Sequence, residues 1–126
     1  MQLLKINSLG SARIINTPDE TDINKLYWKL CIELGATCYG PMVNSDILEG
    51  SDLVVYGIDN SFFKNVPENE YINTILDEKV YGSCICFSLI KDKGSYTIKG
   101  LSNEEMALII AKTSSFLEAD SMEAFS

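Results

Sequence analysis

In the stretch NKLYWKLCIEL, residues 24–34, an indole lies between two ammonium groups: Lys25, Trp28 and Lys29. An aromatic plate flanked by cations is the chemistry that stacks a nucleobase and meets its phosphates. A Trp side chain has on the order of 150–250 Å² to cover. At about 25 cal/mol per Å² that is several kcal/mol, too much to leave in water without cause, and three covers compete: another part of the same fold such as the SFFKNV loop, a second copy of the chain, or a ligand. Arg13 is the one arginine among ten basic residues and offers a second phosphate contact. The polar stretch from residue 59 to 71 adds the amides of Asn60, Asn65 and Asn69 and the phenol of Tyr71, although each alone is also an ordinary turn former or cap. The candidate ligand-binding residues are therefore Arg13, Lys25, Trp28, Lys29, Asn60, Asn65, Asn69 and Tyr71, with Trp28 and Ile32 as candidates for a contact between copies.

Other chemistries find less to work with. The chain has no His, the usual base beside a Ser or Cys nucleophile. It carries no P-loop and no G-x-G-x-x-G. The acidic pairs at 19–20, 77–78 and 104–105 could hold Mg²⁺, but two of them suit helix starts, where the dipole favours carboxylates. Cys31, Cys38, Cys84 and Cys86 lack zinc-site spacing and read as reduced, buried thiols. The expectation is a non-enzyme with no catalytic residue, metal or cofactor.

These groups must be positioned by the elements around them. MQLLKI and ARIIN flank the turn residues NSLGS and predict a hairpin. TPDE predicts a helix start, with Thr17 as N-cap, Pro18 at the first position and Glu20 closing a capping box. Gly35 is its stop. Across residues 18–34, Ile23, Leu26, Tyr27, Leu30 and Leu34 form one stripe, while Trp28 and Ile32 lie about 140° and 180° from Ile23 on a helical wheel. ATCYGPMV and DLVVYGI predict two strands, the first at an edge or bulged because of Pro41. Asn69 is placed to cap a short helix. VYGSCICFSLI alternates as a strand suited to burial on both faces and turns through KDKG into SYTIKG. LSNEE opens the last helix with a capping box, Ser102 and Glu105, and a staple, Leu101 and Met106.

The fold class expected is α+β. It comprises a mostly antiparallel sheet of about six strands in three hairpin-like pairs, two long amphipathic helices and one short helix, with one sheet face covered. Residues 1–118 form a single domain, and 119–126 a flexible acidic tail.

At 126 residues with net charge −8, the surface disfavours general nucleic-acid or anionic membrane binding. No signal-peptide pattern or membrane-length apolar run occurs, so a cytoplasmic location is expected.

Read as a unit, LVVYGIDNSFFKNVPENEYINTILDEKVYGSCICFSLI, with MQLLKIN before it and GLSNEE after it, resembles a family of small phage- and plasmid-borne proteins of unknown function. In that family a strand, a P-x-N loop, a short helix and a Gly-led strand precede an LSDEE-like helix start. The family supplies no catalytic residues, and the long helix with its Trp departs from it. The resemblance implies a counter-defence protein that acts by binding in the host cytoplasm. One form is a homo-oligomeric sponge that sequesters a nucleotide-derived immune signal, ADP-ribose-like or cyclic. The alternative is an acidic inhibitor or DNA mimic that blocks a host nuclease or regulator.

Overall fold

The computed structural model describes residues 1–34, 39–58 and 66–124. Among these the elements run β1 (Gln2–Ile6), β2 (Ser11–Asn16), α1 (Ile23–Leu34), β3 (Tyr39–Asn44), β4 (Asp52–Ile58), α2 (Glu70–Asn73), β5 (Tyr81–Asp92), β6 (Ser95–Lys99), α3 (Asn103–Thr113) and β7 (Phe116–Ala124). One sheet holds all seven described strands in the order β3-β4-β5-β1-β2-β7, with β6 pairing to the far end of β5.

This corrects the expected α+β class. The molecule is a small sheet-rich domain, and only two of its three described helices reach seven residues. The additional strand is β7, most of which falls in residues 119–126, the expected flexible acidic tail. It runs parallel to β2, so the sheet is mixed rather than a set of hairpins.

Helix α1 starts at Ile23, five residues later than expected. Thr17 stays with the sheet: it is buried, its N–H donates to the Met1 carbonyl, and its hydroxyl makes no hydrogen bond. Asp22 takes the capping role, its carboxylate accepting from the N–H groups of Asn24 and Lys25. The Glu20 carboxylate accepts from the Thr21 and Asp22 N–H groups instead of closing a box.

Strand alternation sorts the core. Leu4, Ile6, Val55, Cys84 and Cys86 face α2 and α3, where they meet Ile72, Met106 and Ile109. Leu3, Ile15, Val54, Tyr56, Ile85 and Phe87 face α1 and meet Leu26 and Leu30. Both faces of the sheet are therefore covered, where one was expected. Each fully buried Leu contributes about 2 kcal/mol through lost apolar exposure.

The turns follow residue chemistry. Asn7 accepts from the N–H groups of Leu9 and Ser11, and Gly10 adopts φ +87°. Lys93 and Gly94 both have positive φ in the β5–β6 turn, as a two-residue hairpin loop requires. Ser102 and Glu105 form the full capping box of α3. Strand β3 is an edge strand whose register shifts between Tyr39 and Met42, around Pro41.

Candidate functional site

Helix α1 exposes Trp28 at 70% and Ile32 at 65% because Leu26 and Leu30 occupy its inward stripe. Lys25 is exposed on the same side. Lys29 is half-buried, with its ammonium 3.8 Å from a Glu20 oxygen. Trp28, Ile32 and Lys25 are thus exposed together on the outer side of α1.

Arg13 lies elsewhere. It shares the α1 side of the sheet with Ile15, and its guanidinium reaches Glu118 on β7 at 2.8 Å. Asn69 and Tyr71 lie across the sheet, on the α2–α3 side. Asn69 is fully buried: its amide donates to the Ile6 and Gly82 carbonyls, and its oxygen accepts from the Ile72 N–H. It is a cap and a strand clamp, and no face is left for a ligand. Tyr71 packs its ring against Gly10. Asn60 and Asn65 lie outside the described residues, as do residues 61–65 of the SFFKNV segment, a possible cover for Trp28. The structure thus does not bring the expected residues together as one site.

What it does assemble is a polar cavity of about 260 Å³ on the α1 side, lined by Lys5, Asn7, Ser11, Arg13, Ser83 and Glu118. Alternation explains this: Lys5 follows the parity of Leu3, Arg13 that of Ile15 and Ser83 that of Ile85, all three apolar partners lying beneath α1. Past the C-terminal end of α1 the apolar cover gives way to charge. Lys5 and Arg13 are direct partners across β1 and β2. Like charges in that register repel, and each has an acid beside it: Lys5 lies 3.4 Å from Glu33 and Arg13 2.8 Å from Glu118. Ser11 donates to the other Glu118 oxygen. That hydrogen bond, with help from the Arg13 charge, holds the Glu118 carboxyl below its usual range.

Sequence reasoning found Arg13 alone among these. The available signal was a lone cation in the middle of each of two apolar runs, LLKI and ARII, an unusual position for a strand between two covered faces.

Cys84 and Cys86 are buried, and the hydrogen bond between them, together with burial, pushes the Cys86 thiol well up. Cys31 Sγ lies 3.2 Å from the Tyr56 hydroxyl; Cys38 is outside the described residues. Among the described residues no group of three or more His, Cys, Asp or Glu side chains is placed to hold a metal ion. No described helix is long and apolar enough to cross a membrane. Comparison of the chain with protein-family models, curated proteins and solved structures finds no match.

Proposed function

We propose that this protein is a non-catalytic binding protein that sequesters a nucleotide-derived signalling molecule, with a ribose-phosphate portion held in the polar cavity. The observation that carries the reading is the facing pair Lys5 and Arg13, two cations aimed into one concavity of a protein with net charge −8. A phosphate entering there displaces Glu118 from the Arg13 guanidinium and Glu33 from the Lys5 ammonium and takes both charge-assisted pairings itself. Glu118, released from Arg13, can accept from the two ribose hydroxyls, as acidic residues do in dinucleotide sites. Ser11 and Ser83 supply neutral hydroxyls.

Glu118 suits binding better than acid–base turnover, because a carboxylate held below its usual range is a weak base, whereas a general base works best near the ambient pH. The acidic-mimic alternative draws less support. Six of the 18 acidic residues, Asp19, Glu20, Glu33, Glu68, Glu105 and Glu118, each sit in an ion pair with one of the chain's own cations, which offsets part of the acidic surface a mimic would present. The exposed α1 face, Trp28 with Ile32, is assigned as the contact between copies in a homo-oligomer. The resemblance to phage- and plasmid-borne proteins supplies the setting, counter-defence in the host cytoplasm.

The test is titration calorimetry of the purified protein with ADP-ribose and with cyclic dinucleotides, paired with native mass spectrometry for retained ligand and subunit number. Arg13→Ala removes charge-assisted hydrogen bonds of about 1.5–3 kcal/mol, a loss of roughly 10- to 150-fold in affinity. Wild-type protein that neither retains nor takes up any such molecule sinks the proposal.

A further inference from the structure

A second concavity, at the other end of α1, has the opposite chemistry. It measures about 360 Å³ and lies between Thr21, Ile23 and Tyr27 at the start of α1, Val43 on β3, and Leu89, Tyr96 and Ile98 on β5 and β6. None of these seven lining residues carries a charge. That is notable in a chain with 22% charged residues, several of them close by at the helix start.

Its two aromatic walls differ in freedom. Tyr27 is fixed: its ring stacks on Tyr56 with centroids 4.8 Å apart and planes 6° from parallel, and Phe87 tilts against it at 6.3 Å. A wall already locked by packing loses little entropy when a ligand arrives. Tyr96 is 59% exposed on the β5–β6 hairpin, with the Lys91 ammonium 5.8 Å from its ring centroid. Val43, also at the rim, is 52% exposed. Apolar surface is thus held open around a cleft whose base, Leu89 and Ile98, is apolar too.

The polar atoms available are hydroxyls, those of Thr21, Tyr27 and Tyr96. Burial pushes the Tyr27 phenol up, so it remains a neutral donor at ordinary pH. Anions meet the carboxylates of Glu20 and Asp22 at the adjacent helix start; the ammonium groups nearby are already engaged, Lys29 with Glu20 and Lys91 over the outer Tyr96 ring, and neither lines the cleft. Cations would shed water here without a charged partner on the wall. A flat ring suits the site: it can lie along Tyr27 and cover Tyr96 and Val43, with one hydrogen bond to a hydroxyl.

We infer that the cleft between Tyr27 and Tyr96 is a binding site for a small uncharged planar aromatic molecule of one or two fused rings bearing a single polar group. The site shares no residue with the polar cavity, so it stands or falls independently of nucleotide uptake.

The experiment is an NMR titration of isotope-labelled protein with indole and 2-naphthol, using naphthalene-2-sulfonate as the charged counterpart. Saturable shifts at the Val43, Leu89 and Ile98 methyl groups are expected, with the sulfonate at least tenfold weaker. Tyr96→Ala, a change at an exposed position, should weaken binding at least fivefold without moving the unfolding midpoint, and Tyr96→Phe should retain most of it. Shifts that do not saturate, a sulfonate that binds equally well, or full affinity in Tyr96→Ala would each overturn the inference. Cleft shifts that follow dilution of the protein alone, with the probes silent, would overturn it too, by giving the cleft to another copy of the chain.

Discussion

Lys5 on β1 and Arg13 on β2 face each other directly across the strand pair, and each is answered by a carboxylate from a different element, Glu33 of α1 and Glu118 of β7. The four charges tie both elements to the sheet. Replacing Glu118 with Gln should lower the thermal midpoint modestly, with a deficit that shrinks as salt is added. Pairing it with Arg13→Gln should cost less than the sum of the two single changes, because the repulsion disappears with the second cation. Thermal scans at low and high salt check both points.

Asn69 supports a stronger expectation. Removing its side chain takes a donor from the buried Ile6 carbonyl, which keeps only the weak Cys84 thiol beside it, a donor from the part-buried Gly82 carbonyl, and the acceptor from the buried Ile72 N–H. Asn69→Ala should therefore cost on the order of 3 kcal/mol in urea unfolding. Asn69→Asp keeps the cap acceptor but turns an anion toward two carbonyl oxygens, and should do no better.

Gly10 is required twice over. Its φ is +87°, and an added Cβ would lie 2.6 Å from the Tyr71 ring. Gly10→Ala should destabilise by about 1–3 kcal/mol. Tyr71→Ala in the same chain should recover only the steric part, since the backbone strain stays. A double-mutant cycle by chemical denaturation separates the two.

Trp28 contributes little to the monomer, being 70% exposed. Trp28→Ala should change unfolding free energy by no more than about 0.5 kcal/mol. In dilute wild-type protein the indole should emit as in water, with the emission moving to the blue as copies associate. Light scattering on the variant, compared with wild type at equal concentration, reports whether association is lost.

Acid and alkali should each destabilise the fold. At Glu105 burial is the largest single influence and raises the carboxyl, but hydrogen bonds from Ser102 and Lys99 together with the Lys99 charge outweigh it, so the net shift is downward. Glu118 is lowered too. A carboxyl lowered on folding contributes stability that is complete above its unfolded value, about 4.3, and lost as pH falls through the folded one. The Cys86 thiol is raised, so its contribution is complete below the unfolded thiol value, about 8.5, and lost as pH rises through the folded value. Unfolding midpoints should be flat between those limits and fall on either side. Glu105→Gln should flatten part of the acid limb.

Local rules were legible in the sequence wherever a single residue does the work. The Ser102 and Glu105 box, the Asn69 cap and the turn at Lys93 and Gly94 all follow from side-chain chemistry within a few positions. The inward stripe of α1 was legible from spacing, with Leu26 and Leu30 fully buried. Strand β7 was not, because EADSMEA has no period-2 apolar pattern, and its pairing to β2 comes through backbone groups from over a hundred residues away. The start of α1 was misplaced because Thr17 serves the sheet end, a role set by Met1 rather than by its neighbours. The polar cavity was hidden for the same reason: Lys5, Ser83 and Glu118 meet only after β1, β5 and β7 take their places.

The position of β5 has a kinetic consequence. It pairs with β4, β1 and β6, and contacts such as that of the Cys84 thiol with the Ile6 carbonyl join residues 78 positions apart. Closing so long a loop, and the still longer one between β2 and β7, costs chain entropy before any contact repays it, so assembly of the sheet around β5 is expected to be slow, on a timescale of roughly milliseconds to seconds. Until then the LLKI and CICF segments are unsheltered strand edges, and a newly made chain is most prone to aggregate during that interval.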